Sequence, residues 1–160
     1  MPEMTDELDR LMAVMDAAFD PLYREAWTRR QVEDALLTGH CRYFLANCSN
    51  SFKVKVINNS NNETACAFYL SRQIVNETEL LLFAVSPAFR GKGIGFQLLD
   101  HLAETARSNG SDRIFLEMRQ GNPAENLYRR FGFAPVGVRP NYYRFLDGTR
   151  VDAITFAMTI

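Results

Sequence analysis

Between Ser86 and Glu104 the chain reads SPAFRGKGIGFQLLDHLAE. Three glycines fall within five residues, at 91, 93 and 95, and an apolar run at helical spacing follows directly. Glycine adopts backbone conformations closed to other residues and lets a ligand come close to the main chain. The first turn of a helix adds unpaired N–H groups and the positive end of a dipole. A turn of this composition feeding a helix is a ready site for an anion. The run TELLLFAV before it is strand-like, so the segment reads as strand, glycine turn and helix.

The rest of the chain fits around that unit. Ile94, Leu98 and Leu102, with Leu99, Ala103 and Ala106, form the apolar stripe of the helix, and Gly110 is a natural stop. Upstream, TDELDRLMAVMDAAF predicts a helix capped by Thr5, with Leu8, Leu11, Val14, Met15 and Ala18 at helical spacing. TRRQVEDALLTG predicts a second helix, capped by Thr28 and stopped by Gly39. CRYFLAN, FKVKVIN, ACAFYLSRQIV and TELLLFAV read as strands, and NNSNNET as a polar turn among them. Downstream, DRIFLEMR reads as a strand and NPAENLYRRFG as a short helix with Asn122 as N-cap and Pro123 at its first position. FAPVGV and VDAITFAMTI read as closing strands. No repeat, low-complexity tract or linker interrupts this mixed α/β order, so residues 1–160 are expected to form one domain.

Composition narrows the partners. The 160 residues carry a formal net charge of -1, which gives no basic field for nucleic acid or an anionic membrane. No apolar run approaches the roughly 20 residues of a membrane span. The acidic, polar start MPEMTDELDR does not read as a signal peptide, and a cytoplasmic protein is expected. Cys41, Cys48 and Cys66 are odd in number and lack C-x-x-C spacing; they are expected as buried or half-buried thiols in a reducing compartment. The N-x-S/T triplets at Asn58, Asn62 and Asn76 matter only in a secreted chain. His40 and His101 lie far apart without Cys partners at ligand spacing, so no metal site is expected.

Three ligand classes use glycine turns. A P-loop needs Ser or Thr after its lysine, whereas Lys92 lies between glycines. A dinucleotide fingerprint needs a sixth-position glycine, and counting from Gly91 or Gly93 gives Phe96 or Leu98. Arg90-Gly91-Lys92-Gly93-Ile94-Gly95 instead fits R/Q-x-x-G-x-G/A, the acetyl-CoA-binding pattern of the GNAT family of N-acetyltransferases. LEMRQGNPAENLYRRFGF, residues 116–133, resembles the L-E-V-R-x-x-N…A-x-x-L-Y-x-x-x-G-F stretch of the RimI-type ribosomal-protein alanine N-acetyltransferases. RPNYYRFLDGTRVDAITFAM, residues 139–158, resembles the R-x-N-Y-Y ending of the same group. The resemblance covers most of residues 65–158. It implies the GNAT fold: a mixed, mostly antiparallel central sheet, helices on both faces, and a V-shaped splay between the two middle strands.

The resemblance also implies roles. Backbone N–H groups of Gly91, Lys92, Gly93, Ile94, Gly95 and Phe96 would hold the pyrophosphate of acetyl-CoA, the cosubstrate. Arg90 and Lys92 would add positive charge at the rim, although either reads equally as a solvated surface cation. Phe83, Ala84 and Val85 would pair through their backbone with the pantetheine arm, and Asn122 would touch the cofactor as well as cap a helix. Glu117 is the candidate base. Strand alternation places it with Phe115 and Arg119, opposite Ile114, Leu116 and Met118. An α-amino group with pKa near 7.7–8.0 is partly neutral around pH 7, so a modest base suffices. The alternative is a glutamate paired with Arg119 or another cation. Tyr128 is the candidate acid, since a phenol can protonate a departing thiolate; Ala124, Leu127, Tyr128 and Phe131 at helical spacing make it equally a core aromatic.

The acceptor implied by the resemblance is the N-terminal alanine of a small-subunit ribosomal protein. Tyr142 and Tyr143, in the loop Asn141-Tyr142-Tyr143, would form aromatic walls for an extended peptide; the alternative is a hairpin packed on the core and turned by Asp147-Gly148. Two further classes stay open. One is an acetyltransferase of the same fold acting on a small amine or a lysine side chain. The other is a non-catalytic acetyl-CoA-binding module.

Overall fold

A computed structural model describes residues 2–48, 54–56 and 64–160. Its elements follow in the order α1 (Pro2–Ala18), α2 (Arg29–Leu37), β1 (Cys41–Cys48), β2 (Val54–Val56), β3 (Thr64–Ile74), β4 (Glu77–Val85), α3 (Ile94–Ser108), β5 (Arg113–Arg119), α4 (Glu125–Phe131), β6 (Ala134–Arg144) and β7 (Arg150–Thr159). Short 3-10 turns occupy Pro21–Tyr23 and Pro87–Phe89. Among the described residues the strands form a seven-stranded sheet in the order β2-β1-β3-β4-β5-β7-β6. Every neighbouring pair is antiparallel except β4 with β5. The α/β class and the mixed, mostly antiparallel sheet are as the sequence predicts. Most of FKVKVIN and NNSNNET falls outside the described residues.

Helices cover both faces. One buried cluster joins α3 and α4 to the sheet through Ile94, Leu98, Leu99, Leu102, Tyr128, Ile114 and Leu116, among others. The other joins α1 and α2 through Leu8, Leu11, Met15 and Val32 to Phe68, Leu70, Leu82 and Ala84. All six residues of the α3 stripe are buried; each fully buried Leu or Ile contributes about 1.5–3 kcal/mol of transfer free energy. At the end of α3, Gly110 has φ +85°. Its N–H bonds Arg107 O at 3.0 Å and the Ser111 N–H bonds Ala106 O at 2.9 Å, the paired closure of a Schellman motif.

A bulge in β4 sets up the cavity described below. Leu70 pairs with Leu82 but Ser71 pairs with Leu80, so Leu81 is the extra residue. Strict alternation would place residues 80, 82 and 84 on one face. Instead Leu80 packs with the α3 cluster while Leu82 and Ala84 pack under α1. Phe83 and Val85 are thereby turned toward α3 and α4. Parallel pairing of β4 with β5 covers only Glu77↔Arg113 to Leu80↔Leu116, although the strands continue to Val85 and Arg119.

Four expectations are corrected. α1 begins at Pro2, so Thr5 lies inside the helix rather than at its cap; proline suits the first helical position. α4 begins at Glu125. Its N-cap is Ala124, so neither Asn122 as N-cap nor Pro123 at the first position holds; Asn122 Oδ1 instead accepts the Ala124 N–H at 2.9 Å in a lead-in turn over residues 122–124. Asn141-Tyr142-Tyr143 is not a loop: β6 runs through it to Arg144, with an irregularity between Arg139 and Tyr143 where Asn141 takes φ +54°. The Asp152 carboxylate accepts the Asn141 N–H at 2.9 Å and holds that bulge. The Asp147-Gly148 turn is as expected, with Asp147 accepting the Thr149 N–H.

The last correction concerns the cysteines. Cys48 and Cys66 are bonded as a disulfide with Cα atoms 5.9 Å apart, and Cys41 is free. Pairing steps from Ala46↔Ala67 to Asn47↔Ala65, so Cys66 is a bulged residue brought beside Cys48. That separation lies within the span a disulfide bridges.

Candidate active site

A cavity of about 600 Å³ opens where β4 and β5 stop pairing. Its floor is the end of β4, Phe83 to Val85. One wall is the glycine turn with the first turn of α3, and the opposite wall is the segment from Arg119 to Tyr128. The connector between α1 and α2 closes it with Phe19, Tyr23 and Glu25. The volume lies within the range typical of small-molecule and cofactor sites.

The glycine turn has the geometry that the composition calls for. Gly91 and Gly93 have φ +74° and +79°, and a Cβ added at either would meet nothing within 4 Å. The positive φ, rather than crowding by protein atoms, is what favours glycine there. Gly95 differs: a Cβ would come within 2.7 Å of Leu127 Cδ2, so this glycine lets α3 approach α4. Gly93 is the N-cap of α3 and offers no side-chain cap. The N–H groups that open the helix therefore sit on the cavity wall without an internal acceptor at the cap.

Arg90 lines the cavity but its guanidinium is tied into the scaffold. Nε donates to Val85 O at 3.1 Å, and Nη2 donates to Ala18 O at 3.0 Å. One side chain thus straps the end of β4 to the end of α1. Lys92 is exposed and is not part of the cavity wall.

Tyr128 is buried at the wall, its ring edge-on to Phe83 at 5.8 Å and to Phe133 at 5.8 Å. Burial, and secondarily the carboxylate of Glu25, push its pKa well above the ordinary tyrosine value. The phenol therefore stays protonated, as an O–H donor, throughout the physiological range. It is at once a core aromatic and a wall residue, so the two readings of its helical spacing are not exclusive.

Glu117 lies apart. It is on β5 but not on the cavity wall, and its Oε2 pairs with Arg139 Nε at 3.1 Å. Arg139 in turn lies over the Tyr142 ring at 5.1 Å. Tyr143 is half-buried beside this group. Burial first, then Glu117 and Glu25, push its pKa up to about 12. Tyr142 is exposed and packs edge-on to Tyr143.

Arg119 does not pair with Glu117. Its Nε donates to Glu25 at 2.9 Å, with side-chain exposures of only 10% and 17%, and its guanidinium stacks 3.6 Å above the Tyr23 ring. Of the sequence-predicted residues, Phe83, Ala84, Val85, Arg90, Gly91, Gly93, Ile94, Gly95, Phe96, Asn122 and Tyr128 meet at the cavity; Lys92, Glu117, Tyr142 and Tyr143 do not line it. Tyr23 and Glu25 were not legible. They sit in a connector without periodicity, and Glu25 meets Arg119 across a separation of 94 residues.

Residues 12–133 match the model of the acetyltransferase (GNAT) family. The chain belongs to that family. Within the GNAT family it is 36% identical over 93 residues to a ribosomal protein bS18-alanine N-acetyltransferase of Haemophilus ducreyi, a stretch covering 58% of this chain. It spans 64% of that relative's length. The crystal structure of the ribosomal-protein alanine N-acetyltransferase of Escherichia coli aligns over 98% of this chain and 89% of its own, with TM-score 0.76 and 25% identity. Arabidopsis thaliana NAA60 in complex with acetyl-CoA shares the fold, at TM-score 0.73 and 16% identity over 97% and 94% of the two chains. Among the described residues no helix is long and apolar enough to cross a membrane.

Proposed function

We propose that the chain is an acetyl-CoA-dependent N-acetyltransferase whose acceptor is the N-terminal α-amino group, alanine first, of a small-subunit ribosomal protein. Residues 1–160 are read as one such domain. The observation that carries this is the cavity, which joins a glycine turn at a helix N-terminus to a buried tyrosine through the opening between β4 and β5. The names of the relatives supply the acceptor class.

The residues present fit the cosubstrate. N–H groups from Gly91 to Phe96 would hold the pyrophosphate, with the favourable end of the α3 dipole behind them. The β4 segment after Leu80 has no ladder partner on β5 and offers backbone groups to the pantetheine amides. Asn122 borders the same wall.

In the transfer the neutral amine nitrogen attacks the thioester carbonyl carbon, the C–N bond forms and the C–S bond breaks. Tyr128 gives its phenolic proton to the departing thiolate. The amine gives up a proton, which Glu117 accepts at one remove, through water. Tyr142 and Tyr143 border the path of the peptide.

The test is mass spectrometry of products from acetyl-CoA with four acceptors: peptides starting with Ala or with Leu, a peptide offering only a lysine ε-amine, and a polyamine. The expected product is the α-acetylated Ala peptide, with the ε-amine far poorer because at pKa near 10.4 it is neutral hundreds of times less often at pH 7. Faster acetylation of the polyamine or the lysine would replace the acceptor and leave the acetyltransferase.

A further inference from the structure

We propose that Glu25 is the docking carboxylate for the acceptor's amine, held in place by Arg119 and Tyr23 in the connector between α1 and α2. This rests on the acetyltransferase reading above and adds the residue that selects for a cationic amine.

Glu25 is fixed from several sides. Asp20 caps the 3-10 turn by accepting the Leu22 N–H at 2.9 Å. The Leu22 carbonyl accepts the Leu146 N–H from the β6–β7 hairpin, also at 2.9 Å. The Tyr23 ring stands edge-on to Phe145 at 4.9 Å. Arg24 adopts the left-handed conformation at φ 58°, which turns the chain back toward the cavity. Glu25 is thus presented to the cavity by a connector pinned to the sheet.

The carboxylate keeps unused capacity. A carboxylate accepts about four hydrogen bonds. Arg119 uses one oxygen, and among the described residues Glu25 has no second partner. A half-buried carboxylate on a cavity wall attracts an ammonium more strongly than a solvated one. Arg119 behind it, as a like charge, favours loss of a proton from the docked amine to the neutral form that reacts. Glu25 and Tyr128 line the same cavity, so an amine on Glu25 shares that cavity with the proton donor. Glu117 is less suited to receive the incoming amine, because Arg139 already pairs with it outside the cavity.

The experiment is a binding cycle by calorimetry, with coenzyme A present so that no transfer occurs. It compares an Ala-initiated peptide with the same peptide lacking its α-amino group, in wild type and Glu25→Gln. The expected result is a wild-type preference for the amine of at least tenfold that falls below threefold in Glu25→Gln. Affinity for the des-amino peptide and for acetyl-CoA should stay within twofold. A preference that persists in Glu25→Gln, or that wild type lacks, overturns the proposal. A purely structural role would weaken both peptides alike, which also overturns it. If Glu25→Gln does not fold, Glu25→Asp must cut the preference at least threefold. If wild type acetylates a polyamine and ignores the peptide, the peptide reading falls. Glu25 is then judged by the same ratio between the polyamine and its uncharged amide.

Discussion

Tyr128 carries two duties that a single substitution separates. Its ring fills space against Phe83 and Phe133, while its hydroxyl is the only part that Phe would lack. Tyr128→Phe should therefore leave the melting temperature nearly unchanged and lower kcat about 10²–10⁴-fold, the range for a lost general acid. The pH dependence follows from the sign of the shift. Burial raises the phenol's pKa, so the acid form persists above the ordinary tyrosine pKa near 10, and no loss of kcat below that pH should trace to this group. A large drop in melting temperature with turnover intact would leave Tyr128 as packing alone. At this scale the sequence revealed residue types better than partners. L-E-x-R placed Glu117 and Arg119 on one face of β5, yet one pairs with Arg139 and the other with Glu25. Alternation fixes a side chain's face, whereas its partner depends on strands and connectors far away in sequence.

Elements defined by local rules were the most legible. The α3 stripe, its Gly110 stop and the Thr28 cap each depend on residues within a turn or two, and each formed as expected. The extension of β6 through Asn141 was not legible, because it depends on pairing with β7 and on Asp152 holding the bulge. The bulge at Leu81, which turns Phe83 toward the cavity, left no mark in the composition of TELLLFAV. The glycine turn provides a controlled comparison. Gly93 and Gly110 have φ +79° and +85°, and in both cases an added Cβ meets no protein atom within 4 Å. Gly93→Ala and Gly110→Ala should each cost about 1–2 kcal/mol of stability through the left-handed backbone. Only Gly93→Ala should also weaken acetyl-CoA binding, by tenfold or more in a calorimetric titration, because only its Cβ intrudes where the pyrophosphate approaches. Equal acetyl-CoA affinities for the two variants would move the cofactor off the glycine turn.

For the whole molecule, the Cys48–Cys66 bond is the covalent feature that composition argued against. Its two residues are 18 apart, and the stretch between them includes β2. Closing a loop of that length removes entropy from the unfolded chain worth about 3 kcal/mol in the chain-entropy account. For a domain of this size, that difference corresponds to roughly 6–12 °C in melting temperature. Neither cysteine lines the cavity. The backbone link from the Cys66 carbonyl to the Ser86 N–H, 2.7 Å long, does not involve the sulfur. Reduction should therefore lower the melting temperature by that amount while leaving kcat/KM for acetyl transfer within about twofold at 25 °C. Cys48→Ser with Cys66→Ser should melt with the reduced protein and be insensitive to reductant. Thiol alkylation of the denatured, unreduced protein should label Cys41 and spare the other two. Labelling of all three would restore the expectation of free thiols, and a fall in activity that tracks reduction would mean that the β1–β3 bulge is coupled to the end of β4 and the glycine turn.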